Sequence, residues 1–260
     1  MVGLATRAID AYREHGLAHV VSEGYELTIA STIRAAYNDY LRPLLPAGEY
    51  PTYNGVTVCA EKHRPHTFDS IVPISVPSSS DRPSYEKPLV DALRTRLNPG
   101  DDVVIVGGGY GITSVVAARK IEKAGTVTTY EAIDYRVNVI EQTAAFDGVA
   151  DQCTVHHAIV GPAINPGGGL PNEGGTGAAR NLSAEDLPEC DLLELDCEGA
   201  EVEILRNLKI RPDTLVVETH GHRGAPEAAV RDELSTLGYT IENSEVVVEE
   251  NGVYILTATY

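Results

Sequence analysis

Tryptophan is absent from the 260 residues, phenylalanine occurs twice, methionine once and lysine only five times. The four cysteines, Cys59, Cys153, Cys190 and Cys197, form no C-x-x-C pair, which argues against a zinc knuckle and against a disulfide framework. No apolar run approaches the ~18–20 residues that span a bilayer, so no membrane span is expected. Met1 to Ala5 is followed at once by Arg7 and Asp10, which leaves no continuous stretch for a secretory leader. The chain therefore reads as cytoplasmic.

What is abundant is carboxylate. Thirty-eight Asp and Glu face 20 Lys and Arg, giving a formal net charge of −18 and a pI near 4.7. A surface that acidic repels itself until salt screens it; the Debye length shrinks to about 3 Å at ~1 M. Carboxylate-rich, lysine-poor composition resembles that of halophilic proteins, the alternative being an acidic mesophilic enzyme. Either way, tight binding to nucleic-acid phosphate is disfavoured, because clustered Lys and Arg carry it. With 43% hydrophobic and 22% charged residues the chain is globular. Its length suits one large domain, or one domain with an appendage.

Residues 1 to about 45 carry helical spacing, first through Leu4, Ile9, Tyr12 and Leu17, then through Ile29, Ile33, Tyr37 and Leu41, before Pro43 and Pro46. Gly55–Val58 and Ser70–Ile74 are candidate short strands, and Pro77–Pro83 is a linker by composition. This divides the chain into an N-terminal extension, 1–84, and a principal domain, 85–260.

From Tyr85 onward helix and strand alternate. Strands are expected at 103–106, 126–131, 153–159, 191–196 and 214–218. Helices are expected at 85–97, 112–123, 135–146, 201–208 and 226–237. Asn251-Gly252 closes the chain as a type I′ hairpin signal. Near-continuously apolar strands between helices imply a parallel sheet covered on both faces. Five such units followed by a hairpin give the expected fold: Rossmann-like α/β, class I methyltransferase architecture, seven strands, mostly parallel with an antiparallel C-terminal hairpin.

Gly107-Gly108-Gly109-Tyr110-Gly111 lies directly after an apolar strand and opens a helix. Glycines there permit a tight turn and close approach of a ligand to the backbone. A dinucleotide fingerprint, G-x-G-x-x-G, would require a third glycine or alanine where Ile112 or Ser114 stands. The pattern is instead G-x-G-x-G, as in S-adenosylmethionine (SAM) sites. Gly107, Gly108, Gly109 and Gly111 are thus candidate cofactor contacts. Glu131, ending the second strand, suits a carboxylate that accepts hydrogen bonds from ribose hydroxyls.

Leu193 to Glu201 reads L-E-L-D-C-E-G-A-E. It resembles the D-x-E-G-x-E signature of FkbM-type methyltransferases, SAM-dependent enzymes whose assigned members mostly methylate hydroxyls. The resemblance covers about Tyr85 to Tyr260 and takes in Asn98-Pro99-Gly100-Asp101, the glycine loop, Tyr130-Glu131, His157-Ala158 and Val216 to His220. It implies SAM as cofactor, with His157 and Asp196 joining the cofactor contacts, and a small-molecule or glycan hydroxyl as acceptor. In one respect the chain departs from it: the acidic residue that usually begins the first motif would fall at Ile105.

Asp196, Glu198, Glu218, His220 and His222 are expected to converge at neighbouring strand ends. Hydroxyl methylation needs alignment and a base for the hydroxyl proton. Glu218, His220 and Glu198 are the candidate catalytic residues, whereas Glu201 suits the first turn of the following helix, where negative charge meets the helix dipole. A metal on Asp196, Glu198 and His220 is conceivable, but none is assigned. The glycine-rich stretch 165–177 lacks a phosphate-loop lysine and reads as an insertion. The expected function is SAM-dependent O-methylation. The alternatives are an NAD-dependent reductase and a non-catalytic SAM-binding protein.

Overall fold

In the computed structural model, residues 50–60, 81–161 and 179–260 are described, together with Thr32 and Ala36, both helical. Most of the expected N-terminal helices, the candidate strand Ser70–Ile74 and the insertion 165–177 lie outside the described residues. The chain divides into two units, residues 1–50 with 61–80, and residues 51–60 with 81–260. The second unit carries the sheet and everything that follows.

Its elements, in chain order, begin with a small hairpin, β1 (Thr52–Tyr53) and β2 (Val56–Thr57). Then come α1 (Lys87–Arg96), β3 (Val103–Val106), α2 (Ile112–Ile121), β4 (Val127–Glu131), α3 (Asp134–Phe146), β5 (Cys153–Val160) and β6 (Arg180–Leu182). The chain ends with β7 (Leu192–Leu195), α4 (Glu201–Asn207), β8 (Thr214–Glu218), α5 (Glu227–Thr236), β9 (Thr240–Val248) and β10 (Val253–Thr259). Among the described residues the principal sheet has eight strands in the order β6-β5-β4-β3-β7-β8-β10-β9. All neighbours are parallel except β8-β10 and β10-β9. This is the Rossmann-like methyltransferase fold.

The eighth strand is β6, beyond the expected seven. It has three residues, two of them exposed, and supplies no apolar alternation for a sequence to show. β3, by contrast, is VVIV with every residue buried, because helices cover both of its faces. One face packs on Leu89, Val90 and Leu93 of α1, on α2 and on Val139 of α3. The other packs on Ile204 and Leu205 of α4 and on Val230 and Leu234 of α5. Tyr53, Val56, Val58 and Ala60 also belong to the first of these cores, so residues 51–60 are built into the sheet-bearing unit.

The hairpin chemistry differs from expectation. Asn251-Gly252 does not form a two-residue type I′ turn: a short 3-10 turn, Glu249–Asn251, intervenes, and Gly252 alone adopts positive φ. The two-residue turn occurs instead at Asn54 and Gly55, with φ of 52° and 78°, between paired Tyr53 and Val56. Asn-Gly tolerates the two left-handed residues such a turn requires.

The chain runs outward from β3 to β4 and β5, then returns to β7 on the other side of β3. The crevice beyond the carboxyl ends of β3 and β7 is therefore a topological switch point, where open α/β sheets hold ligands. Among the described residues no helix is long and apolar enough to cross a membrane.

Candidate active site

The glycine loop follows β3 into this crevice, and its glycines do different work. Gly107 has φ +97°, and a Cβ there would stand 1.7 Å from the Asp196 carbonyl oxygen. A Cβ on Gly108 would stand 2.4 Å from Thr129 Cγ2, and one on Gly111 3.1 Å from the Ile140 backbone. These three glycines let β3, β4, β7 and α3 approach one another. Gly109, with φ +55°, is different: a Cβ there would meet nothing within 4 Å among the described residues. Its open side is the face of the loop available to a ligand.

Glu131 ties the loop to the next strand. Its Oε2 accepts a hydrogen bond from Gly109 N at 2.9 Å, and its Oε1 accepts from Ile133 N at 2.8 Å. Burial pushes this carboxyl above its ordinary pKa, opposed by those backbone donors and by Arg136. The Ala132 amide opposes the burial as well, and of the carboxylate's roughly four acceptor directions at least one is left over. His157, in register with Glu131 on β5, places Nε2 3.1 Å from the Ala132 carbonyl.

Across the switch point, β7 and β8 deliver Asp196, Glu218 and His220. One ligand-type atom from each lies within 4.8 Å of the others, a set with the donor chemistry to hold a cation. This is not the trio conceived from sequence, because Glu218 stands where Glu198 was expected. Glu198 sits at φ +59° and pairs with Arg223 Nη1 at 2.8 Å, with its Oε2 3.6 Å from His220 Nε2. Glu198 and Gly199 both have positive φ, and a Cβ on Gly199 would stand 2.6 Å from the Arg223 carbonyl oxygen. The D-x-E-G run is thus a sharp turn that leads from β7 into α4. His222 remains at the exposed rim, where Nδ1 is 3.1 Å from the Asn251 carbonyl.

His220 is 5% exposed, and its ring is held from behind. Nδ1 lies 2.8 Å from Glu201 Oε1, which leaves Nε2 facing Asp196 Oδ1 at 3.6 Å. Glu201 is fully buried and also accepts from Cys197 N and Gly199 N, each at 3.2 Å. The first-turn position expected of Glu201 is correct, but its partners are the turn and His220. Burial disfavours the charged imidazole, yet the hydrogen bond and charge of Glu201, with Asp196 and Glu198, outweigh it and hold the His220 pKa above its ordinary value.

Two further carboxyls complete the cluster, and sequence reading singled out neither. Glu86 precedes α1 at φ 47°; burial and the nearby Asp196 push its pKa up to about 8. Glu194, in the middle of β7, is 1% exposed. Burial, then Asp196 and Glu86, hold its pKa well above the usual carboxylate range. Asp196 and Glu218 are raised as well, by burial first; Asp196 in turn raises Glu218, while His220 lowers Asp196. The crevice thus offers several carboxyls that a cationic ligand would favour in their charged form. A cavity of about 670 Å³ between β6 and α4, lined by Asn181, Glu203 and Arg206 among others, contains none of these carboxyls.

No protein-family model and no curated protein matches the chain. Solved structures do. A precorrin-6y C5,15-methyltransferase from Geobacter metallireducens is 19% identical, with a TM-score of 0.46 over 69% of this chain and 90% of that one. A SAM-dependent O-methyltransferase from Thermotoga maritima is 18% identical, with a TM-score of 0.46 over 68% of this chain and 65% of that one. An O-methyltransferase from Bacillus cereus in complex with SAH is 13% identical, with a TM-score of 0.44 over 71% and 84%.

Proposed function

We propose that this protein is a SAM-dependent methyltransferase acting on a hydroxyl of a small molecule or glycan. One observation carries the reading: the open side of Gly109 and the Glu131 carboxyl that accepts its N–H stand together at the switch point. The surrounding residues suit SAM. Glu131 has acceptor capacity for a ribose hydroxyl, and the carboxyls at the end of β7 suit the ammonium of its methionine portion. The absence of a third glycine or alanine at Ile112 and Ser114 disfavours the reductase alternative. Bound SAM supplies an electrophilic methyl on a sulfonium.

The chain's own contribution is orientation and proton transfer. His220 Nε2 accepts the proton of the acceptor hydroxyl, while Glu201 fixes the ring by receiving Nδ1–H and stabilises the imidazolium that forms. Glu218 lies on the same side of the strand end, within reach of the same space, and orients the acceptor. The net charge of −18 favours a neutral or cationic acceptor over nucleic acid.

Calorimetric titration with SAM and with NAD, followed by methyl transfer from labelled SAM into a cell extract read by mass spectrometry, tests the reading. SAM binding with a labelled product is expected. NAD binding in place of SAM would overturn it, and SAM binding with no transfer to any extract component would favour the non-catalytic alternative.

A further inference from the structure

Position 105 holds an apolar residue, Ile105, fully buried in the core. Parallel register places Glu194 of β7 directly beside it, Ile105 pairing with Glu194 and Glu194 in turn with Val216 of β8. Registered residues of adjacent parallel strands project to the same face about 4.8 Å apart. The sheet therefore carries a carboxyl at this level after all, displaced by one strand.

That carboxyl is anomalous as a structural element. It is 1% exposed in a strand otherwise made of leucine, and Oε2 has no hydrogen-bond partner among the described residues. Thr113, in the first turn of α2 just beyond the glycine loop, is its hydrogen-bonding neighbour. Asp196 follows two residues later on the same face, at the mouth of the crevice. Burying an acceptor without a partner costs stability and gives the free protein nothing in return. An arrangement of this kind is explained by a ligand that completes it.

We infer that Glu194 is a cofactor anchor: its free oxygen, one layer beneath Asp196, receives the ammonium of the bound methionine moiety and supplies from β7 the carboxylate that β3 lacks. The inference rests on the SAM reading above and assigns the charged end of the cofactor to the β7 side of the switch point.

Three variants test it: Glu194→Gln, which keeps the shape, Glu194→Leu, and Ile105→Asp combined with Glu194→Leu. Each is titrated with SAM and with methylthioadenosine, which has the adenosine and the sulfur but no ammonium. Glu194→Gln should weaken SAM binding by about tenfold or more, as loss of a charge-assisted hydrogen bond predicts. It should leave methylthioadenosine affinity within about twofold. The double variant should recover most of the SAM affinity, because an acid at 105 occupies the same level of the same face. Glu194→Leu should melt at the same temperature as the wild type or higher, since a merely structural carboxyl would show the reverse. Equal losses for the two ligands, or unchanged SAM affinity in Glu194→Gln, would overturn the inference and leave the methyltransferase reading standing. A wild-type protein that binds neither ligand overturns both.

Discussion

Gly107 and Gly109 are two residues apart in one loop, yet replacing them should have opposite consequences. At Gly107 a Cβ would lie 1.7 Å from the Asp196 carbonyl oxygen and 2.7 Å from its carbon, so the end of β7 must move. Such overpacking costs about 1–3 kcal/mol. The φ of +97° adds strain of about 1–3 kcal/mol for any side chain. At roughly 2–4 °C per kcal/mol for a protein of this size, Gly107→Ala should lower the melting temperature by about 5–20 °C. At Gly109 the backbone lies in the left-handed region at φ +55°, and no atom of the described residues stands within 4 Å of the added carbon. Gly109→Ala should therefore cost only about 1–2 kcal/mol, or roughly 2–8 °C. Gly109→Val places two methyls in the space beside the Glu131-bonded amide, and SAM binding should be lost while the helical circular dichroism remains. Thermal melts read the first effect and calorimetric titration with SAM the second. A fully stable Gly107→Ala, or a Gly109→Val protein with wild-type SAM affinity, would refute the division between the packed and the open side of the loop.

His220→Ala should leave SAM affinity nearly unchanged and slow single-turnover methyl transfer by about 10²–10⁴-fold; normal turnover would move the base to Glu218. Because Glu201 raises the His220 pKa, the acid limb of the pH–rate profile should lie above pH ~6.5. Glu201→Gln should shift that limb to lower pH, whereas a purely structural Glu201 would lower the rate without moving it. Glu131→Ala removes the acceptor for Gly109 N and Ile133 N and should cost about 1–3 kcal/mol for each amide left unpaired, besides weakening SAM binding. Glu86 and Glu131 have raised folded-state pKa values, so their stabilising protons are retained fully below about pH 4.5. For Glu86 that contribution is lost as pH rises through about 8. The ligand-free protein in molar KCl should accordingly melt lower at pH 8 than at pH 5, and the opposite slope would contradict these burial effects. At fixed pH the melting temperature should rise between low salt and molar KCl, as screening relieves a net charge of −18; a flat response would argue against the halophile-like reading.

By itself the sequence determined the periodic part of the protein. Buried parallel strands between helices read as apolar runs because both faces are covered, so β3, β7 and β8 were legible to within a residue or two, whereas β4 and β5, more polar, follow from the alternation with helices. The glycine loop was legible as a tight strand-to-helix turn, because few residues other than glycine adopt its positive φ angles. What the chain alone could not decide is whatever depends on register between strands or on a neighbour distant in sequence. β6 escaped notice because three half-polar residues show no period, and the Asn-Gly turn at 54–55 because its two strands are only two residues long. Glu201 looked like a helix-start carboxylate and is one, but only folding carries His220 to within 2.8 Å of it. Ile105 looked like a gap, and Glu194 like one polar letter in an apolar strand. That the two are neighbours on one face is a property of the sheet, where hydrogen-bond register brings together residues 89 positions apart in the chain.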